Sequence, residues 1–220
     1  MPIKVPDNLP ALKALHAESV DIMPQKQAVR QDIRPLRLLL LNLMPKKRDT
    51  EIQFARLFGN TPLQVEMILM TTASYTPQNT EPGYLRRFYR RLDDVRNDYF
   101  DALIITGAPI ETLPFEDVKY WGELTEIMEW SREHCFRRLG ICWGAQALLW
   151  HFHKVQKHGL KAKLFGIFEH HLSDVSGRLM HGFTDQFPMP ASRTSLEVAN
   201  RAPLLTIAAA ASLLKLCSPG

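Results

Sequence analysis

Between about residue 35 and residue 153, short apolar runs alternate with stretches whose apolar positions fall at helical spacing. Residues 36–41 form a nearly continuous apolar run, the pattern of a strand buried on both faces. Residues 63–70 and 100–105 read as further strands, and 138–141 as a short one. Between them, residues 50–57 carry a short helical stripe (Ile52, Phe54, Ala55, Leu57). Residues 84–95 place Leu85, Phe88, Leu92 and Val95 on one side of a helix. The longest predicted helix, 118–134, repeats Trp121, Leu124, Ile127 and Met128, and another follows Cys142 with Ala145, Leu148, Leu149 and Phe152. Residues 71–83 are polar and contain proline, so they read as loop. Such alternation predicts an α/β fold with a parallel sheet and right-handed crossovers. Ligands of such sheets bind beyond the carboxyl ends of the strands, which singles out residues 42–47, 106–111 and 142–144.

Composition narrows the classes without changing this picture. The chain has 220 residues, 45% hydrophobic and 23% charged, which suits one domain that needs no disulfide or metal staple. The first ten residues lack the apolar core of a signal peptide, and the longest apolar stretch, 204–214, is shorter than the roughly 20 residues that span a bilayer. A cytoplasmic protein with no membrane partner is the expectation. The net charge is +4, and the densest basic cluster (Arg86, Arg87, Arg90, Arg91, Arg96) is diluted by Asp93, Asp94 and Asp98. Its spacing predicts a solvated helix face rather than a nucleic-acid surface. The three cysteines, Cys135, Cys142 and Cys217, include no CxxC pair, which speaks against a disulfide framework and against a zinc site.

One cysteine stands apart. In Leu139-Gly140-Ile141-Cys142-Trp143-Gly144-Ala145-Gln146 an apolar strand runs through Gly-x-Cys-x-Gly into a helix. This is the logic of a nucleophile elbow with cysteine in place of serine: small neighbours permit a sharp turn that holds the side chain out over the sheet edge. A sulfur at a helix N-terminus is favoured as thiolate. The Trp143 amide can donate to an oxyanion there, and a second donor can come from the turn Thr106-Gly107-Ala108-Pro109. Cys135 and Cys217 have no such setting and read as structural. Lys46 and Lys47 follow a strand end, where cations can stabilise an oxyanion; judged alone they are a solvated pair.

Several segments together carry a family resemblance: Met1-Pro2-Ile3-Lys4-Val5-Pro6, Arg34-Pro35-Leu36, Leu41-Asn42-Leu43-Met44-Pro45-Lys46-Lys47, Thr106-Gly107-Ala108-Pro109, Tyr120-Trp121, Cys142-Trp143 and Phe168-Glu169-His170-His171. Over residues 1–193 the chain resembles the homoserine O-acyltransferases of methionine biosynthesis, of the homoserine O-succinyltransferase type. The resemblance implies a flavodoxin-like α/β sandwich similar to the class I glutamine amidotransferases. It implies an acyl-enzyme on Cys142 and transfer from an acyl-coenzyme A to the hydroxyl of L-homoserine, with no cofactor, no metal and a homodimeric assembly. It marks Lys163 as substrate-binding and Ser192 as a substrate-specificity position. Judged without the resemblance, Lys163 is a solvated charge and Ser192 a loop hydroxyl. Glu111 occupies the family's acyl-specificity position, where a glycine leaves room for a succinyl tail. A glutamate fills that room and repels the tail's carboxylate, so acetyl-CoA is the expected donor in place of succinyl-CoA.

The pattern also breaks. The family's base is a histidine in a later His-Pro-Glu segment, and none of the eight histidines here precedes Pro-Glu. His170 and His171 match a family feature other than the base and read as packing in a strand or loop. Beyond Arg193 the resemblance stops, and residues 194–220 have the character of a shifted reading frame or a fusion. The expectation is therefore an incomplete domain over 1–193, weakly stable, with turnover lowered by the missing base. A noncatalytic remnant or binding module is the competing reading. An amidohydrolase is disfavoured by Met44-Pro45-Lys46-Lys47 and Glu169-His170-His171.

Overall fold

The computed structural model describes residues 3–18, 22–24, 34–59, 61, 63–75, 80–171, 184–197 and 215–216. Seven strands make the main sheet: β1 (Ile3–Val5), β2 (Ile22–Pro24), β3 (Leu36–Leu41), β4 (Val65–Met70), β5 (Tyr89–Arg90), β6 (Phe100–Ile105) and β7 (Cys135–Gly140). Their order is β2-β1-β4-β3-β6-β7, with β5 beside the end of β4, and every pairing is parallel. The helices are α1 (Ala11–Ala17), α2 (Lys47–Gly59), α3 (Pro82–Phe88), α4 (Leu92–Val95), α5 (Trp121–His134) and α6 (Trp143–His153). The strands β4-β3-β6-β7 follow the flavodoxin-like order, in which the chain reverses direction of growth between β3 and β6. The expected α/β class is thus observed.

Strand β3 shows why these residues make a central strand. Leu39 and Leu41 join Leu103, Ile105 and, from α5, Leu124, Ile127 and Met128 in one core cluster. Leu40 joins Met67, Leu69 and Ile104 with Leu15 of α1 and Phe54 and Ala55 of α2 in another. Both faces of the strand are dry, so the apolar run has no polar alternation, and each fully buried leucine contributes roughly 1.5–3 kcal/mol.

The structure changes the predicted elements at several points. The predicted helix over 84–95 is two short helices with β5 between them. Tyr89 is extended (φ −104°, ψ 143°), and β5 pairs with Leu69 and Met70. Pairing with the end of β4 and burying the Tyr89 ring outweighs helix propensity there. The five arginines of the basic cluster are all exposed, as expected, and Arg96 pairs with Asp93 and Glu126. Helix α2 begins at Lys47, earlier than its apolar stripe indicated. Strand β7 begins at Cys135, directly where α5 ends with the Cys135 amide donating to the Ser131 carbonyl.

A second sheet was not anticipated. Strands β8 (Lys157–His171), β9 (Gln186–Glu197) and β10 (Lys215–Leu216) pair antiparallel in the order β10-β8-β9. Strand β9 continues through Arg193, where the resemblance had stopped, to Glu197. One face turns inward with Ala191 and His170 buried, and the other leaves Phe165 and Ile167 at 77% and 76% exposure. Cys217 lies outside the described residues. Among the described residues no helix is long and apolar enough to cross a membrane.

Candidate active site

Cys142 caps α6 at its N-terminus with φ 53° and ψ −121°, a left-handed conformation rare for a residue with a side chain. The surrounding backbone imposes it. A Cβ on Gly140 would stand 2.5 Å from the Ala145 Cα, and one on Gly144 would stand 2.5 Å from the Ile105 carbonyl oxygen. Neither position admits a side chain, so strand β7 turns into α6 without slack, and the thiol is presented to solvent. The predicted elbow is present in its geometry.

The Gly144 and Ala145 amides donate to the carbonyls of Ile141 and Cys142, 3.0 Å each. Trp143 is the first residue of α6, so its amide has no acceptor within the helix. Its ring is fully buried against Phe115 and Tyr120, and its indole nitrogen lacks a hydrogen-bond partner among the described residues.

The loops after β3 and β6 are tied to each other beside the cysteine. Thr106 Oγ1 accepts from the Leu43 amide at 2.8 Å and donates to the Gly107 carbonyl at 3.0 Å, while the Thr106 amide donates to the Leu41 carbonyl at 3.1 Å. Gly107 packs on the elbow: a Cβ there would lie 3.2 Å from the Cys142 Cβ. The three segments that the fold argument singled out therefore share one edge of the sheet.

Lys47 corrects the reading as a solvated pair. Lys46 is exposed, but Lys47 is 3% exposed, and its Nζ donates to the Asn42 carbonyl. One helical turn on, Glu51 is wholly buried. Its two carboxyl oxygens accept from the Tyr84 and Tyr89 hydroxyls, each at 2.6 Å. Asn42 Nδ2 donates to the Tyr89 oxygen at 2.9 Å and to the Lys47 carbonyl at 3.2 Å. Two hydroxyl donors on one carboxyl group match its ionised form, which only accepts. Burial lowers the Lys47 ammonium to about 8 against the pull of Glu51. Burial raises the Glu51 carboxyl, opposed by the two hydroxyls and by Lys47. Burial, then Glu51, lift both phenols well above their ordinary range. An open cavity of about 340 Å³ beside this cluster is lined by Lys46, Lys47, Arg48, Asp49, Thr80 and Glu81.

The remaining candidates lie further along the chain. Glu111 is half-buried in the loop after β6, and its carbonyl accepts from Lys157 Nζ at 2.8 Å. Lys163 and Ser192 both flank Phe165 on the outward face of the second sheet. The Lys163 ammonium sits 5.7 Å from the Phe165 ring centroid, and Ser192 is that residue's ladder partner. The hairpin joins the sheet edge through Gln146 Nε2, which donates to Ser195 Oγ at 3.0 Å, and through the Lys157 contact. Cys135 is buried, which lifts its thiol to about 12 and fits the structural role expected of it. His170 is buried in β8, its Nδ1 2.9 Å from the Phe168 carbonyl, in the packing role expected.

Sequence reasoning singled out the segment that holds Asn42 but missed Glu51, Tyr84 and Tyr89. The one available signal was the i, i+4 spacing of Lys47 and Glu51, which an apolar stripe beginning at Ile52 concealed.

Comparison with known proteins identifies the family. The sequence model of the homoserine O-succinyltransferase family matches residues 2–207. The homoserine O-acetyltransferase of Allorhizobium ampelinum is 51% identical over 193 residues, 88% of this chain and 62% of that protein. Those of Synechococcus elongatus and Novosphingobium aromaticivorans are 53% and 50% identical, covering 90% and 89% of this chain and 67% and 65% of theirs. The chain thus spans about two thirds of the length of the curated relatives it matches.

Proposed function

The chain belongs to the homoserine O-succinyltransferase family, and from this premise we propose that it is an acyltransferase working through a thioester on Cys142. The Cys142 thiolate attacks the acyl carbonyl of acyl-CoA, the oxyanion collapses, and the coenzyme A thiolate leaves and takes up a proton. The L-homoserine hydroxyl then attacks the enzyme thioester, gives its proton to a base, and releases the Cys142 thiolate with the O-acyl ester. The observation that carries this reading is the elbow: an exposed sulfur at a helix N-terminus, fixed by two glycines that cannot be replaced without collision. Thioester exchange needs no strong base, so the first half-reaction is within the means of the residues at the edge, with the Trp143 amide as oxyanion donor and Lys46 and Lys47 as nearby cations.

Glu111 and the names of the curated relatives support acetyl-CoA over succinyl-CoA. Repulsion between two carboxylates in a partly dry pocket is worth about 1–3 kcal/mol. Lys163 and Ser192 are assigned to homoserine, which the cytoplasm would supply as substrate for methionine biosynthesis. The test is intact-mass analysis of the chain after incubation with acetyl-CoA or succinyl-CoA. Acetylation mapped to Cys142, at least tenfold faster than succinylation and with the preference reversed in Glu111→Gly, is the expected result. A folded chain that takes no acyl group defeats the enzyme reading in favour of a noncatalytic binding module.

A further inference from the structure

A buried carboxylate and a buried ammonium one helical turn apart are costly to keep, and apolar residues of similar volume would pack the same space at less expense. Nothing in the core requires them. Leu40, Phe54 and Met67 nearby are held by apolar contact alone. The pair stands at the carboxyl edge of the sheet, and its hydrogen bonds lead toward the cysteine. Glu51 is reached by the Tyr84 and Tyr89 hydroxyls, Tyr89 by the Asn42 amide, and the Asn42 carbonyl by Lys47. The next residue, Leu43, is fastened to Thr106, whose neighbour Gly107 packs on Cys142. Strands β3 and β7 are separated by β6 alone, so their carboxyl ends lie roughly 10 Å apart.

We propose that Glu51 is a positioning residue: through Tyr89 and Asn42 it holds the Lys47 ammonium, charged, at the sheet edge as the cation that meets the negative charge of the acyl donor. This rests on the acyl-transfer reading above. The negative charge is either that of the donor's phosphates or that developing on the thioester oxygen. The groups facing Lys47 are Glu51 on its own helix and Tyr89 from β5, with Arg48, Asp49 and Glu81 around the adjoining cavity. Glu51 is the sole buried acid among them. Loss of its charge makes the ammonium harder to retain, which moves Lys47 deprotonation to lower pH.

The experiment compares wild type with Glu51→Gln, Glu51→Asp and Tyr89→Phe by two readouts. The first is NMR titration of the Lys47 side chain in lysine-labelled protein, assigned with Lys47→Met. The midpoint near 8 in wild type falls by about one pH unit in Glu51→Gln and returns toward wild type in Glu51→Asp. An unchanged midpoint in Glu51→Gln overturns the proposal. The second is Cys142 acylation by acetyl-CoA and by a phosphate-free acetyl thioester, with iodoacetamide alkylation of Cys142 as the control for an intact elbow. Glu51→Gln slows acetyl-CoA acylation about tenfold or more, and the alkaline fall of its rate moves to lower pH with the Lys47 midpoint. If the phosphate-free thioester is spared, the charge met is phosphate; if it is slowed equally, the charge is the developing oxyanion. Unaltered acylation from both donors overturns the proposal. If wild type is alkylated yet never acylated, the acyl-transfer reading fails, and the titration still decides whether Glu51 governs Lys47. Tyr89→Phe keeps the ring and removes the hydroxyl, so it reports on the network if Glu51→Gln fails to fold.

Discussion

Cys142 and Lys163 stand on two different kinds of scaffold. Around Cys142 the parallel sheet and α6 approach so closely that positions 140 and 144 admit only glycine, and the cysteine backbone has one conformation available. Around Lys163 the hairpin is solvated on its outer face, and the side chain is held by a ring that is itself 77% exposed. The first position is dictated by the main chain, the second by a side-chain contact that water can compete with. Residues of the first kind tolerate almost no change in their neighbours. Those of the second tolerate much and tune recognition instead.

The largest test of this contrast lies between two thiols. Cys135 has the same side chain as Cys142 but sits inside the core, with its ionisation lifted to about 12. At pH 8 only about one molecule in 10⁴ carries its thiolate, so iodoacetamide should modify Cys142 at least ~10³-fold faster, as read by peptide mass mapping. Comparable rates would mean that the elbow is not presented as described. A smaller effect is expected from Gly144→Ala, which drives a methyl group into the carbonyls of Ile105 and Thr106. It should cost roughly 2–4 kcal/mol of stability and lower the acylation of whatever folded chain remains. A melting temperature equal to wild type would show that the close approach is not enforced. The smallest effect belongs to the hairpin. Lys163→Met should leave thermal stability and Cys142 acylation within about twofold of wild type while weakening homoserine consumption of the acyl-enzyme. A large loss of acylation would move Lys163 from the acceptor side of the reaction to the donor side.

How legible each part was follows from the same physics. The central strands announced themselves because both of their faces are dry, so 36–41 and 100–105 carried a signal no loop could imitate. The elbow was legible because backbone crowding leaves a mark in sequence, glycine on either side of one residue. Strand β5 was hidden because two residues of pairing leave no period, and the apolar spacing of 84–95 continues through them. The hairpin was hidden because its outward positions include Phe165 and Ile167, which blur the polar alternation expected of a half-buried strand. The buried network was hidden for a deeper reason. Lys47, Glu51, Tyr84 and Tyr89 come from three elements, and a charged residue in a helix is ordinarily read as facing water.

The phenols of that network make the protein its own indicator dye. Glu51 and burial hold the Tyr84 and Tyr89 protons beyond the ordinary tyrosine range, and burial lifts Tyr120 to about 12, so three of the five tyrosines resist becoming tyrosinate while the chain is folded. Above about pH 10 the unfolded chain sheds protons that the folded chain keeps, and alkali therefore favours unfolding. Tyrosinate absorbance should rise in two stages, the later one coinciding with loss of circular dichroism, and its amplitude reads out optically whether the interior beside the cysteine is still closed.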